Sequence, residues 1–348
     1  MRILILGNNH SAKSFYKILN EDKNNIVFTT NKEVKNNIEY TAKEDIIDFL
    51  EANEIDFVLI TEEKYIDPYF QEQMDSLSIS YFSPTIEAVE ICKYKSSAKK
   101  FINKNKFLTP KYFIAEKNNL AGDYVKNAEY PLAIKPDIHN PKEALRFCET
   151  YSSALKTIND FFENGNKKII VEDYILGKNV TIWTISDGYS AKIIGSNAKY
   201  QNNISLFEPE FLTEDIKENI LKNIINPTIT SLAEEEKEYI GILGFDIILS
   251  KDNKAYLIGF NSFFDDISVD FYTNCYDLNW LKVFESCIVG DIFTKFDFKP
   301  DTNYALTIRN EEKINLITAN FKSNLNKYII ELDLDNEDYK EAKKLWKY

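Results

Sequence analysis

The pattern with the most chemical content is Gly244-Phe245-Asp246, followed after twelve residues by Gly259-Phe260-Asn261. Both triplets lie in apolar runs, Gly244 to Leu249 and Ala255 to Phe260, that read as strands joined by the turn Lys251-Asp252-Asn253-Lys254. A carboxylate and an amide oxygen are hard donors, and adjacent strands can aim several such donors at one point. Asp246 would be costly to bury without a partner, so its register with Asn261 favours a site over a structural carboxylate. Asp265 and Asp266 follow closely and read either as a solvated turn or as further carboxylates for the same point. Only two histidines are present, His10 and His139, which excludes most His-rich zinc sites. A Ser–His–Asp machine would have to use one of them. His10 follows the first turn, within reach of a ligand there, and His139 reads as a loop residue. Cys92, Cys148, Cys275 and Cys287 are far apart, form no CxxC, and read as reduced core thiols.

These residues need a scaffold, and the hydrophobic periodicity supplies one. Arg2 to Leu6 is a short strand, Gly7-Asn8-Asn9 a turn, and Ser11 to Leu19 a helix with Phe15, Ile18 and Leu19 on one face. Strands at Ile26 to Phe28, Asp56 to Ile60 and Ser78 to Phe82 alternate with a helix face at Ile46, Ile47 and Leu50, and a helix runs from Ser83-Pro84 to Cys92. Residues 1 to 92 thus predict an open parallel α/β sheet. Tyr94 to Asn103 is a basic amphipathic helix. Tyr130 to Pro136 and Lys168 to Tyr174 are strands, and Ser152 to Glu163 is a helix. Val180 to Ser186 and Ser190 to Gly195 form a hairpin around Asp187-Gly188. Glu214 to Glu236 is helical with a break expected at Pro227. Asn279 to Val289 is a helix. Strands follow at Ala305 to Ile308, Ile314 to Thr318 and Tyr328 to Leu332, then a charged helix to Tyr348.

The 348 residues correspond to roughly two domains. Hydrophobic residues are 44% and charged residues 28%, an ordinary globular balance that argues against dominant disorder. The net charge of −13 disfavours non-specific nucleic-acid binding while leaving room for one local basic pocket. No apolar run reaches the roughly 18 residues of a membrane span. The apolar opening reads as a strand rather than a signal peptide, so a cytoplasmic location is expected.

Taken together, four segments resemble the ATP-grasp superfamily. Asp246 and Asn261 stand at the first and third positions of its magnesium-binding set, which is an acidic residue on one strand and Glu-x-Asn on the next. Lys95 and Lys135 match two lysines that reach the nucleotide phosphates. Glu172, Asp173, Tyr174 and Ile175 match a hinge strand that holds adenine, and Asn179 stands where a Glu accepts from the ribose hydroxyls. Within the superfamily, residues 1 to 290 are similar to phosphoribosylamine–glycine ligases. That family couples ATP cleavage to amide formation: glycine's carboxylate attacks the γ-phosphoryl group, and the amine of phosphoribosylamine displaces phosphate from the acyl phosphate. The resemblance implies an α/β (α+β) architecture: an ATP-grasp fold over residues 94–297, with a small lid at about 110–178, preceded by a Rossmann-like doubly wound domain over 1–93 and followed by a short C-terminal β-rich tail over 298–348. It implies ATP and Mg2+ as cofactors, and a small carboxylate plus an amine as further partners.

Several positions depart from the family. Gly259 stands where the family has the metal-bridging Glu, Phe263 where it has an Arg near the transferring phosphate, and Asn179 lacks the charge of the ribose-binding Glu. Residues 137–143 contain no glycine where the family has a Gly-rich phosphate loop, and Pro141 removes an amide donor. The opening turn lacks the family's Gly-Gly-Arg-Glu-His run. Losing about 4 kcal/mol of metal stabilisation slows phosphoryl transfer roughly a thousandfold. Three readings follow: a nucleotide-binding homologue with ligase chemistry lost or weakened; an active carboxylate–amine ligase with a rebuilt site in which Asp265 supplies the missing carboxylate; and a scaffold that binds a protein partner or its own copy.

Overall fold

The computed structural model describes residues 1–138, 145–200, 204–292, 296, 298–299, 304–310 and 313–319. His139, most of the 137–143 loop, the Tyr328 to Leu332 strand and the terminal helix lie outside the described residues. The elements in chain order are β1 (Arg2–Leu6), α1 (His10–Leu19), β2 (Ile26–Thr29), α2 (Lys43–Ala52), β3 (Phe57–Ile60), α3 (Pro68–Ser76) and β4 (Ser80–Phe82). They continue with α4 (Ile86–Lys93), α5 (Lys95–Lys104), β5 (Tyr112–Ala115), α6 (Asn118–Lys126), β6 (Leu132–Pro136), β7 (Arg146–Cys148), α7 (Tyr151–Glu163) and β8 (Ile169–Asp173). Next come β9 (Gly177–Gly188), β10 (Ala191–Tyr200), β11 (Ile204–Phe207), α8 (Glu214–Ile220) and α9 (Asn226–Glu234). The described chain closes with β12 (Tyr239–Ser250), β13 (Ala255–Asn261), α10 (Asp266–Asn274), α11 (Trp280–Ile288), β14 (Tyr304–Asn310) and β15 (Lys313–Ala319).

The chain divides into two compact units. The first comprises Met1–Ile86, Val180–Gly244 and Phe263–Tyr348; the second comprises Glu87–Asn179 and Phe245–Ser262. In the first unit β1 to β4 form the expected parallel sheet, in the order β2-β1-β3-β4. Alternation of apolar strands with amphipathic helices dictates this arrangement, because each helix buries one stripe against the sheet. The β1–α1 turn is tight: a Cβ at Gly7 would fall 1.9 Å from Thr61 Oγ1, so only glycine fits. The hairpin expected around Asp187-Gly188 is present as β9–β10, and β11, β14 and β15 continue it as antiparallel strands. The expected break at Pro227 does not occur. Leu221–Ile225 widens into a π-helical turn, and Pro227 sits in the first turn of α9, where its missing N–H costs least. Thr228 Oγ1 donates to the carbonyl of Ile224 at 2.7 Å within this irregular stretch. Among the described residues no helix is long and apolar enough to cross a membrane, and none of the four cysteines is in a disulfide.

The second unit holds an antiparallel sheet in the order β5-β8-β6-β7. Its register puts Tyr112, Glu172, Ala133 and Phe147 in one cross-strand row. Side chains alternate along each strand, so the neighbours of that row point the other way. Ala115, Ile134, Cys148 and Val171 do so, and they pack against α6 and α7 in one apolar core. One face of this sheet is therefore covered by helices, and the opposite face carries Glu172, Lys135 and Phe147.

Candidate functional site

Helix α5 begins where strand β6 ends, and a single side chain joins them. Asp137 follows β6; its Oδ1 accepts from the N–H of Ser96 at 2.7 Å, its Oδ2 accepts from Ser96 Oγ at 3.1 Å, and its carbonyl accepts from the N–H of Lys95 at 3.0 Å. The carboxylate complements the positive end of the α5 dipole. It also fixes Lys95 relative to Lys135, two residues back along the chain.

The side chains gathered there are charged and buried. Glu172 is 3% exposed; one oxygen lies 2.8 Å from Lys99 Nζ and the other 3.0 Å from Lys135 Nζ. Lys99 is 0% exposed, donates to Thr109 Oγ1 at 2.8 Å, and lies 5.7 Å from the ring centroid of Tyr112. Thr109 Oγ1 in turn donates a hydrogen bond to the carbonyl of Leu257 at 2.7 Å, and Tyr112 Oη donates to the carbonyl of Lys99 at 3.0 Å. Burial pushes the Lys99 ammonium down to about 8, against the pull of Glu172. Burial alone would raise the Glu172 carboxyl, but the charges of Lys135 and Lys99 outweigh it and hold Glu172 below the usual carboxylate value. Lys95 is lowered by burial and then by the charge of Lys135, opposed by Asp137, Asp246 and Glu172. Lys95, Lys135, Glu172, Asp137 and Asp246 thus share one electrostatic neighbourhood.

Asp246 lies on β12 beside β13, which carries Gly259 and ends at Asn261. Phe260 anchors that strand, with ring centroids 5.4 Å from Phe245 and 6.0 Å from Phe101 of α5. Asn261 Nδ2 is buried with no hydrogen-bond partner among the described residues. Among the described residues, a Cβ added at Gly259 meets no atom within 4 Å. Among the described residues no group of three or more His, Cys, Asp or Glu is arranged to hold a metal ion. One carboxylate and one amide suit a single magnesium ion that completes its shell with water and phosphate oxygens; they do not suit a pair of bridged ions.

The remaining sequence-derived positions fall elsewhere. Asp173, at the end of β8, faces away from Glu172, and burial raises its carboxyl, partly offset by Lys111. Tyr174 is 40% exposed, its N–H donates to the carbonyl of Pro131, and its ring stands edge-on to the exposed Phe147 at 5.3 Å. Ile175 is half-buried and Asn179 is exposed. Asp265 lies in the first unit, where its Oδ1 accepts from the N–H of Ser268 at 2.7 Å and caps α10. Asp266 begins that helix, so the acidic pair reads as a helix start. His10 pairs with Asp270 at 2.8 Å in the same unit. Sequence reasoning missed Lys99 and Phe147; the i, i+4 spacing from Lys95 was the available signal for Lys99.

The family model described as phosphoribosylglycinamide synthetase, ATP-grasp (A) domain, matches residues 93–269. The phosphoribosylamine–glycine ligase of Clostridium acetobutylicum is 25% identical over 235 residues, covering 63% of this chain and 56% of that enzyme. That of Fusobacterium nucleatum is 22% identical over 320 residues, covering 84% of this chain and 74% of that enzyme. The chain therefore spans little more than half the length of the first of these relatives. Among solved structures, the phosphoribosylamine–glycine ligase of Thermotoga maritima superposes with a TM-score of 0.75 at 13% identity, covering 94% of this chain and 95% of that one. The ADP complex of an N5-carboxyaminoimidazole ribonucleotide synthetase superposes with a TM-score of 0.72 at 12% identity, covering 99% and 97%. At such identities the superpositions speak for the ATP-grasp fold alone. The sequence match runs over half of the chain and includes both lysines, Glu172, Asp246 and Asn261, and it places the chain in the phosphoribosylglycinamide synthetase ATP-grasp (A) domain family.

Proposed function

We propose that this chain is a divergent, nucleotide-binding homologue of phosphoribosylamine–glycine ligase whose ligase activity is lost or strongly weakened. One contrast carries the reading: the lysine–glutamate cluster is complete, while Gly259 leaves Asp246 as the only carboxylate of the metal pair. Lys95 and Lys135 hold the phosphates as ammonium donors. The segment from the end of β8 onward, Asp173 to Ile175, receives the base, with Tyr174 and Phe147 as exposed rings there. Asp246 and Asn261 would hold one magnesium ion, which neutralises phosphate charge when bound. Asp265 is occupied as a helix cap and stays outside this set. Domain boundaries near 93 and 297 and a cytoplasmic setting belong to the same proposal.

The second reading, an active carboxylate–amine ligase acting through an acyl phosphate, is favoured by one observation: Asp246 and Asn261 remain on adjacent strands. Calorimetric titration with ADP, with and without magnesium, tests the binding common to both. Phosphate release from ATP in the presence of a small carboxylate and an amine separates them. Binding without release supports the proposal, and release abolished by Asp246→Asn supports the ligase. No binding at millimolar ADP sinks both. Gly259→Glu is expected to tighten magnesium-dependent ADP binding by roughly tenfold, about 1.4 kcal/mol, because the open position accepts a second carboxylate.

A further inference from the structure

We infer that Lys99 is a positioning residue, one that keeps Lys135 available to an anion by taking one oxygen of Glu172. This rests on the reading of Lys135 as a phosphate contact. Lys99 is 0% exposed and its ammonium is shared among Glu172, Thr109 Oγ1 and the face of Tyr112, so it does not itself reach a ligand. Glu172 is just as buried and offers each of its oxygens to a different lysine. The three charges sum to one net positive. Without Lys99, Glu172 and Lys135 would close into a neutral pair, and the carboxylate would compete with any phosphate for the ammonium of Lys135. Lys99 divides the carboxylate between two cations and leaves that one charge uncommitted.

A purely structural role explains the arrangement less well. Buried ion triads are commonly replaced by apolar side chains at no loss of stability, so cohesion alone does not require an ammonium at this depth. The backbone around Lys99 also has other fastenings, since Asp137 holds the start of α5 and Phe101 packs on Phe260. Four residues before Lys99, on the same face of α5, Lys95 feels the charges of Lys135, Glu172 and Asp246. The helix therefore carries one lysine for the ligand and one for the carboxylate behind it.

The test compares wild type, Lys99→Met and Lys99→Met/Glu172→Gln, each checked for cooperative thermal unfolding. ADP with magnesium is titrated by calorimetry. Separately, acylation of Lys135 by acetic anhydride is followed by peptide mass spectrometry in nucleotide-free protein. Lys99→Met is expected to weaken ADP binding by roughly tenfold or more and to slow Lys135 acylation, since the closed pair ties up the ammonium. The double variant is expected to recover both, because a neutral amide in place of the carboxylate no longer competes. A merely structural Lys99 predicts no such recovery. Equal Lys135 acylation in all three proteins, or a double variant no better than the single, overturns the inference. If wild type binds no ADP, the nucleotide reading fails while the acylation series still decides the role of Lys99. Should Lys99→Met not fold, Glu172→Gln alone carries the test: faster Lys135 acylation than wild type supports the inference, and slower acylation overturns it.

Discussion

At the centre of the first unit the packing is aromatic. Phe264 stacks on Tyr272 at 4.7 Å and meets Trp183 edge-on at 5.1 Å, and Phe207 stacks on Phe271 at 3.9 Å, all within one apolar core. In the second unit one of the fully buried large side chains is charged: Lys99, matched to Glu172 and Lys135. Both clusters exclude water, but they respond to damage differently. Every ring contributes contact area and edge-to-face geometry that simply add up, so losing one leaves a cavity and the others in place. Each charge is tolerated only because of its partners, so removing one leaves the next exposed to the full desolvation penalty. The first cluster is built for cohesion, and the second keeps charge poised at the cost of cohesion.

The sharpest break of this contrast is Phe264→Ala. It is expected to lower stability by about 3–5 kcal/mol, read by urea unfolding, because the cavity is lined by rings that cannot all collapse. The reverse sign is expected in the second unit. Lys99→Met/Glu172→Leu/Lys135→Met is expected to be as stable as wild type or more stable by about 1–4 kcal/mol in the same assay. ADP binding by this triple variant is expected to be abolished. A triple variant that is strongly destabilised would mean that the ion cluster is cohesive after all.

The smallest effect concerns pH. The Asp270 carboxylate, which accepts from the imidazole, is the largest influence on His10 and raises it above the ordinary 6.5, against burial. A raised folded-state value means the unfolded chain releases this proton first. The stabilisation is therefore complete below pH 6.5 and fades as pH rises through the folded-state value. It is expected to amount to about 1 kcal/mol at most for a partly exposed pair. His10→Asn should flatten this slope in a series of melting temperatures between pH 5.5 and 8.5, a window set roughly around the histidine range. An unchanged slope would show that the Asp270 contact does not couple to folding.

Local patterns were legible in the sequence because their causes are local. The β1–α1 turn, the strand–helix alternation to residue 92 and the Asp187-Gly188 hairpin follow from periodicity and turn chemistry, and all are present. What failed depended on partners distant in the chain. Tyr94 to Asn103 reads as a basic amphipathic helix, and the spacing from Lys95 places Lys99 on the same face but does not give its burial; the partner there is Glu172, far along the chain on β8. Strand β5 is held by pairing with β8, and helix α6 packs with α7 in the apolar core of its unit. Asp265 was ambiguous because a helix cap and a metal ligand ask for the same residue type; the serine three positions on marked the cap. Pro227 signalled a break, but the helix absorbed it by widening one turn.

The open space at Gly259 bears on how such a protein can change over generations. Among the described residues, a Cβ added at this position would meet no atom within 4 Å. Glycine and glutamate codons that end in a purine differ at a single base. A lineage carrying this chain therefore stands one point mutation from a second carboxylate on the strand next to that of Asp246. Charge at that spot can therefore change by one substitution without a clash at Cβ among the described residues.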